Sequence, residues 1–185
     1  MKNIIIISGP SGSGKDVIIQ KIQSLLPIEF IITSTTRAQR PGESEGHPHY
    51  FLSKEEFQKG ITEKQFIEYS TNENSEYYGV TDRELTRATT QGKLALWRVD
   101  WKGVINIKKM YPHIPAIYIS APITVLEARL RARDKGKSED YFTERMNYTR
   151  EWLKHLDIYD YIVENEEGKL DETIEKVRVI IEKYR

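Results

Sequence analysis

The sequence predicts an α/β fold: a parallel sheet of about five strands layered between helices, with a partly β insertion and a short polar segment. Three observations carry this expectation. The 185-residue chain has the length of one domain, or of one domain with a sizeable insertion. Short β-branched runs alternate with segments of helical hydrophobic spacing, the pattern of right-handed βαβ units whose sheet is covered on both faces. A glycine-rich loop joins the first such run to the first helical segment.

Residues 3–8 are a β-branched run closed by Gly9, and over 16–26 Val17, Ile18, Ile22, Leu25 and Leu26 recur at helical spacing. The opening therefore reads strand, glycine loop, helix. The same signal returns at 93–99 followed by 103–110, at 116–120 followed by 123–133, and at 159–163 followed by 170–184. Between about 33 and 89 the rhythm breaks. Thr, Ser, Gly, Asn and Tyr dominate there, one modest helical pattern covers 54–58, and extended pieces such as 65–69 mark a small, partly β insertion. Residues 134–140, Asp-Lys-Gly-Lys-Ser-Glu-Asp, hold no apolar anchor and are expected to be mobile. The expected single domain over 1–185 thus has a core of 1–32 and 90–185 around an insertion of 33–89.

Composition excludes several function classes. Zero cysteines rule out a disulfide scaffold, a thiol nucleophile and a cysteine-ligated metal, and fit a reducing cytosol. Twenty-eight basic residues balance 28 acidic ones, so no global basic field holds a polyanion such as nucleic acid. No apolar run approaches the roughly 20 residues needed to cross a bilayer, and the apolar start is too short for a signal peptide. A soluble, cytoplasmic protein that begins at its mature N-terminus is expected. His47, His49, His113 and His155 lack metal-ligand spacing, which argues against a zinc site.

The chemistry starts at Gly9-Pro10-Ser11-Gly12-Ser13-Gly14-Lys15, which matches G-x-x-x-x-G-K between a strand and a helix. Glycines let backbone N–H groups converge on phosphate oxygens, the helix N-terminus adds partial positive charge, and Lys15 bridges the outer phosphates. After the lysine, where a Ser or Thr hydroxyl usually touches Mg²⁺, stands Asp16. It is either a carboxylate that favours the helix dipole or a magnesium contact, direct or through water. A carboxylate beside a triphosphate is repelled unless a cation lies between them. Arg37 and Arg40, three apart before a Pro-Gly turn, suit a bidentate grip on a phosphate dianion, although ordinary surface arginines have the same spacing. Glu68 and Asp100 are acceptors, and guanine differs from adenine in offering N–H donors at its Watson–Crick edge. Asp100-Trp101-Lys102-Gly103 imitates the D-x-x-G of GTPases, but no N-K-x-D follows, so a GTPase switch is set aside.

The segment Thr33-Ser34-Thr35-Thr36-Arg37-Ala38-Gln39-Arg40-Pro41-Gly42-Glu43, then Gly46, Tyr50-Phe51, Phe66-Ile67-Glu68 and Tyr77-Tyr78-Gly79, resembles the GMP-binding region of the guanylate kinase family, P-loop nucleoside monophosphate kinases. With the glycine loop and Asp100-Trp101-Lys102-Gly103, the resemblance spans most of the chain in the right order. It implies that Glu68 and Asp100 read guanine, that Thr33 or Ser34 donates to the base oxygen, and that Tyr78 joins Arg37 and Arg40 on the phosphate. It also implies a lid near 134–145 whose Arg133 and Arg145 act with Lys15 on the transferring group. Arg129 shares a helix face with Arg133, and Arg131 points away.

Four further features, besides Asp16, depart from the family pattern. His49 replaces an expected tyrosine, with Tyr50 able to substitute by a small register change. Val80 replaces a hydroxyl residue, Arg98 an acidic one, and the lid is one residue longer.

The implied activity is phosphoryl transfer from MgATP to GMP or dGMP, by a monomer or homodimer with no nucleic-acid or membrane partner. The acceptor phosphate, with a second pKa near 6, needs no general base. Two rivals remain. One is a guanylate-kinase-like enzyme acting on a phosphorylated sugar of the ribose 1,5-bisphosphate type, which shares Asp after the lysine and Val after Tyr-Tyr-Gly. The other is a non-catalytic binding module; such modules typically lose the ATP loop that is intact here.

Overall fold

The structure, a computed structural model, describes residues 3–72, 75–90 and 92–185. Strand β1 (Ile4–Ser8) is buried at every position, as a strand covered on both faces must be. It leads through the glycine loop into α1 (Lys15–Leu25), which is followed by β2 (Ile28–Ile31). The insertion then runs β3 (Thr33–Thr35), β4 (Ser44–Glu45), β5 (Pro48–Phe51), α2 (Lys54–Thr62), β6 (Phe66–Thr71), β7 (Tyr77–Thr81) and α3 (Asp82–Thr89). The core resumes with β8 (Leu94–Arg98), α4 (Trp101–Met110), β9 (Ala116–Ser120), α5 (Ile123–Arg133), α6 (Glu139–Leu153), β10 (Tyr161–Glu164) and α7 (Leu170–Glu182).

The core sheet has the order β10-β9-β1-β8-β2, with every pairing parallel. Alternate residues feed two buried clusters. Ile5, Ile7, Leu94, Leu96, Ile117 and Ile119 meet α1 and α7 on one face. Ile4, Ile6, Ala95, Trp97, Ala116 and Tyr118 meet α3, α4 and α6 on the other. The expected three-layer α/β fold of about five parallel strands is therefore present. Every parallel strand delivers its carboxyl end to the same sheet edge, and that edge of such a sheet is where ligands bind.

Three local expectations are corrected. Ile28–Ile31 forms an edge strand that the strand-and-helix reading passed over, because it holds four residues and runs on into the insertion. The insertion contains two helices, not one. The second begins at Thr81, whose hydroxyl accepts from Glu84 N at 3.2 Å, and its mean polarity hid a short apolar face of Leu85 and Ala88. Of the polar segment 134–140, only 134–138 is a connection. Ser138 caps α6 by accepting from Tyr141 N at 3.2 Å, and Glu139 and Asp140 favour its N-terminal turn.

The insertion is a second five-stranded sheet, ordered β4-β5-β3-β7-β6. Helix α2 closes it with Phe57, fully buried and stacked on Phe66 and Tyr77 at 4.1 and 5.1 Å between ring centroids. Helix α3 ties the insertion to the core. Arg87 donates to buried Glu84 at 2.8 and 2.9 Å, to Glu29 of β2 at 2.7 Å and to the Phe30 carbonyl at 2.6 Å. Glu84 also accepts from Ile32 N at 2.8 Å and from the Tyr50 hydroxyl at 3.3 Å. Arg87→Leu strands the Glu84 carboxylate, so a loss of about 2 to 4 kcal/mol is expected in denaturant melts. A loss below about 0.5 kcal/mol, the level of exposed ion pairs, contradicts this role.

Candidate active site

The glycine loop wraps the carboxyl end of β1. Gly14 caps α1 with φ of 82°, and a Cβ there would collide with the Asn165 amide. A Cβ on Gly12, at φ of 87°, would lie 2.8 Å from the Leu126 carbonyl oxygen. The loop is thus clamped by α5 and by Asn165, which donates to the Ser13 carbonyl at 2.8 Å. Arg129 adds donors to the carbonyls of Gly12 at 3.3 Å and Asn165 at 3.4 Å. Neither Asn165 nor this use of Arg129 was foreseen, since nothing local in sequence links them to the loop.

A cleft of about 1190 Å³ opens between this loop and the insertion sheet. Lys15, Asp16, Arg98, Arg133 and Arg145 line its core side; Thr33, Arg37, Arg40, His49, Glu68 and Tyr78 line the insertion side. Burial lowers the Lys15 pKa, Asp16 opposes that shift, and Arg98, Arg133 and Arg145 add to it. Asp16 is held well below the usual carboxylate range by Lys15 and then by Arg98. Arg133 forks onto Asp134 with both contacts at 2.8 Å, and Tyr141 donates to the same carboxylate at 2.6 Å. Arg145 sits over the Tyr141 ring, 5.4 Å from its centroid. Arg131 turns away to Glu127 and Glu139, as its helical position predicts.

On the insertion side Arg37 forms a bidentate pair with Glu43 at 2.8 and 2.9 Å, and Tyr78 makes a further contact to the same guanidinium. The Arg37 hydrogen bond holds the Glu43 carboxyl down at about 2. The backbone N–H of Arg40 donates to Glu43 at 2.9 Å, which turns the Pro-Gly corner so that Arg40 faces the cleft. The Arg37 fork is thus held in the orientation for bidentate contact with two oxygens of an oxyanion.

Glu68 and Asp100 meet deeper in the cleft. A register shift between Phe66 and Glu68 aims Glu68 inward. It is 5% exposed, and burial, then Asp100, push its pKa up to about 8, with an opposing hydrogen bond from Asn106. Asp100 caps α4 by accepting from Gly103 N at 2.9 Å, and takes the Tyr148 hydroxyl at 2.8 Å and Ser70 at 3.5 Å. Because the folded-state pKa of Glu68 lies above its ordinary 4.5, the stability it contributes is fully present below about 4.5 and lost as pH rises through about 8. The melting temperature of wild type relative to Glu68→Gln is therefore expected to fall between pH 5 and 8. A constant difference contradicts the buried carboxyl.

Two candidate residues lie elsewhere, and strand parity explains both. Thr33, His49, Thr35 and Tyr78 share the cleft face of the insertion sheet, so Ser34 and Tyr50, adjacent partners in the β3–β5 ladder, share the opposite face. Tyr50 spends its hydroxyl on Glu84, not on the cleft. No small register change brings Tyr50 inward, because a one-residue slip would turn every side chain of the strand over. His49 occupies the cleft position instead. Val80, two residues beyond Tyr78 on β7 and paired opposite Glu68, is fully buried in the core cluster, so it seals the cleft floor with an apolar side chain and offers no hydroxyl to a ligand.

Comparison with known proteins agrees with this geometry. The family model described as guanylate kinase matches residues 1–184. Guanylate kinase of Rickettsia felis is 36% identical over 183 residues, covering 96% of this chain and 92% of that protein. That of Carboxydothermus hydrogenoformans is 34% identical over 166 residues, covering 89% and 80%. The crystal structure of guanylate kinase from Anaplasma phagocytophilum aligns with a TM-score of 0.77 at 26% identity, over 98% of this chain and 85% of that one. A shikimate kinase from Bacteroides thetaiotaomicron, at 15% identity and a TM-score of 0.54, shares the fold alone. With a family match along nearly its whole length and relatives above 30% identity, the chain belongs to the guanylate kinase family.

Proposed function

We propose that this chain transfers the γ-phosphoryl group of ATP to GMP or dGMP, giving ADP and GDP. The observation that carries the reading is one cleft with a glycine loop and Lys15 on one wall and an arginine fork beside two carboxylates on the other. The backbone of Gly9 to Gly14 binds the donor phosphates, with the Ser11 side chain lining the cleft beside them and Ser13 buried inside the loop. Residues 33–89 hold the monophosphate: Arg37, Arg40 and Tyr78 take its phosphate, Glu68 and Asp100 the N–H edge of guanine, and Thr33 its oxygen. Glu43 then shares Arg37 with the phosphate or yields it.

The acceptor is largely dianionic at pH 7, so alignment and charge neutralisation do the catalysis, without a general base. Lys15, Arg133 and Arg145 oppose the charge on the equatorial oxygens, and closure of 134–145 excludes water. Magnesium, when bound with ATP, neutralises and orients the phosphates. No cluster of three or more metal-binding side chains occurs among the described residues, which fits an ion held by nucleotide oxygens and one carboxylate. Asp16 would serve through Oδ2, since Oδ1 accepts from Arg98. No helix among the described residues is long and apolar enough to cross a membrane. Nucleotide substrates and the absence of cysteine suit a cytoplasmic enzyme.

A phosphorylated sugar has no N–H edge to satisfy buried Glu68. Calorimetry is expected to show GMP and dGMP binding about ten- to a hundredfold more tightly than AMP or ribose 1,5-bisphosphate. Equal affinity for the sugar bisphosphate contradicts the assignment.

A further inference from the structure

Asp16, Arg98 and His49 each depart from the family pattern and lie far apart in sequence, yet the fold joins them in one chain of contacts. Arg98 Nη1 donates to Asp16 Oδ1 at 2.9 Å, and Arg98 Nη2 lies 3.0 Å from His49 Nε2. The other imidazole nitrogen, Nδ1, lies 3.1 Å from the Thr33 carbonyl oxygen, an acceptor only. Nδ1 therefore carries the proton, and Nε2 presents a lone pair to Arg98. Burial and then Arg98 push the His49 pKa down to about 3, which agrees with a permanently neutral ring. The outcome is a guanidinium held from both sides, by the ATP-loop carboxylate and by the insertion sheet.

A guanidinium has five N–H donors, and these two contacts use two of them. Arg98 is three-quarters buried at the carboxyl end of β8 and lines the cleft with Lys15, Arg133 and Arg145. This placement also accounts for Asp16. A carboxylate next to a polyphosphate is repulsive unless a cation separates them, and Arg98 is that cation. We propose that Arg98 is a phosphate-binding residue of the transfer site, held across the cleft by Asp16 and His49, with the phosphoryl group between donor and acceptor as its ligand. The inference rests on the phosphoryl-transfer reading above. Asp16 and His49 are positioning residues, and Arg98 supplies charge that is independent of any metal.

The test is calorimetric binding in EDTA, with two probes: ADP, and a bisubstrate analogue in which adenosine and guanosine are joined 5′ to 5′ through a polyphosphate. Asp16→Asn/Arg98→Gln removes both charges and leaves no stray carboxylate. It is expected to weaken the bisubstrate by about ten- to a hundredfold and ADP by less than about threefold. His49→Gln, which keeps a neutral acceptor for Nη2, is expected to bind the bisubstrate within a few-fold of wild type, whereas His49→Leu loses affinity for it. The charge swap Asp16→Arg/Arg98→Asp guards against a folding defect. It restores an ion pair, its melting temperature reports directly whether the fold is kept, and it is expected to lose the bisubstrate. Wild-type bisubstrate affinity in either double variant overturns the inference and reduces the pair to a structural one. A wild-type protein that binds the bisubstrate no better than ADP overturns the phosphoryl-transfer reading, and the inference with it.

Discussion

Lys15→Ala lowers kcat by about a hundred- to a thousandfold, while the melting temperature stays within a degree or two of wild type. The side chain leaves the N-terminal end of α1 and enters the cleft, and it belongs to none of the buried apolar clusters. Its removal therefore costs the fold little. The transition state loses more, because the half-buried ammonium is partly desolvated in the cleft, which raises the electrostatic value of its charge. Steady-state kinetics paired with thermal melts separate the two effects. Activity within a few-fold of wild type contradicts a transfer mechanism that relies on this charge.

Glu68→Gln collapses the discrimination between bases. A buried carboxylate facing the guanine N–H edge becomes an amide that presents a donor to a donor. The specificity constant for GMP is expected to fall about ten- to a hundredfold, with that for AMP unchanged or higher. The pH profile supplies a second signature. Only the ionised carboxylate accepts both guanine donors, and burial holds its pKa at about 8, so kcat/KM for GMP in wild type rises between pH 6 and 8. Glu68→Gln flattens that rise. A GMP-to-AMP ratio unchanged by the substitution contradicts the base contact.

The core was legible because its signals are local. Ile4–Ser8 and Ala116–Ser120 are short apolar, β-branched runs bounded by glycine or proline, and their length and flanking residues, not periodicity, mark them as buried strands. The glycine loop was legible because its letters sit in the strand-to-helix context that gives them meaning. Less legible were features set by pairing across the chain. The family resemblance left Ser34 open beside Thr33 and Tyr50 as a substitute for the tyrosine missing at His49, whereas strand parity sends both to the far face of the insertion sheet. His49 and Arg98 read as isolated departures until the fold set them 3.0 Å apart. Asn165, Tyr148 and Asn106 support the loop and the carboxylates from elements remote in sequence, and no motif marks them. The helix from Glu139 to Leu153 was obscured by its acidic first turn, which is a helix-start signal when Ser138 is read as the cap.

In the proposed reaction one cleft joins ATP at Lys15 to a guanine monophosphate at Arg37 and Glu68. It is tested most directly by incubating the protein with MgATP and equimolar GMP, AMP, UMP and ribose 1,5-bisphosphate, and following products by phosphorus NMR. GDP and ADP are expected to appear together in equal amounts, with AMP and UMP consumed at least about tenfold more slowly and the sugar bisphosphate untouched. Faster phosphorylation of ribose 1,5-bisphosphate than of GMP would contradict it, and would leave Glu68 and Asp100 without the ligand assigned to them.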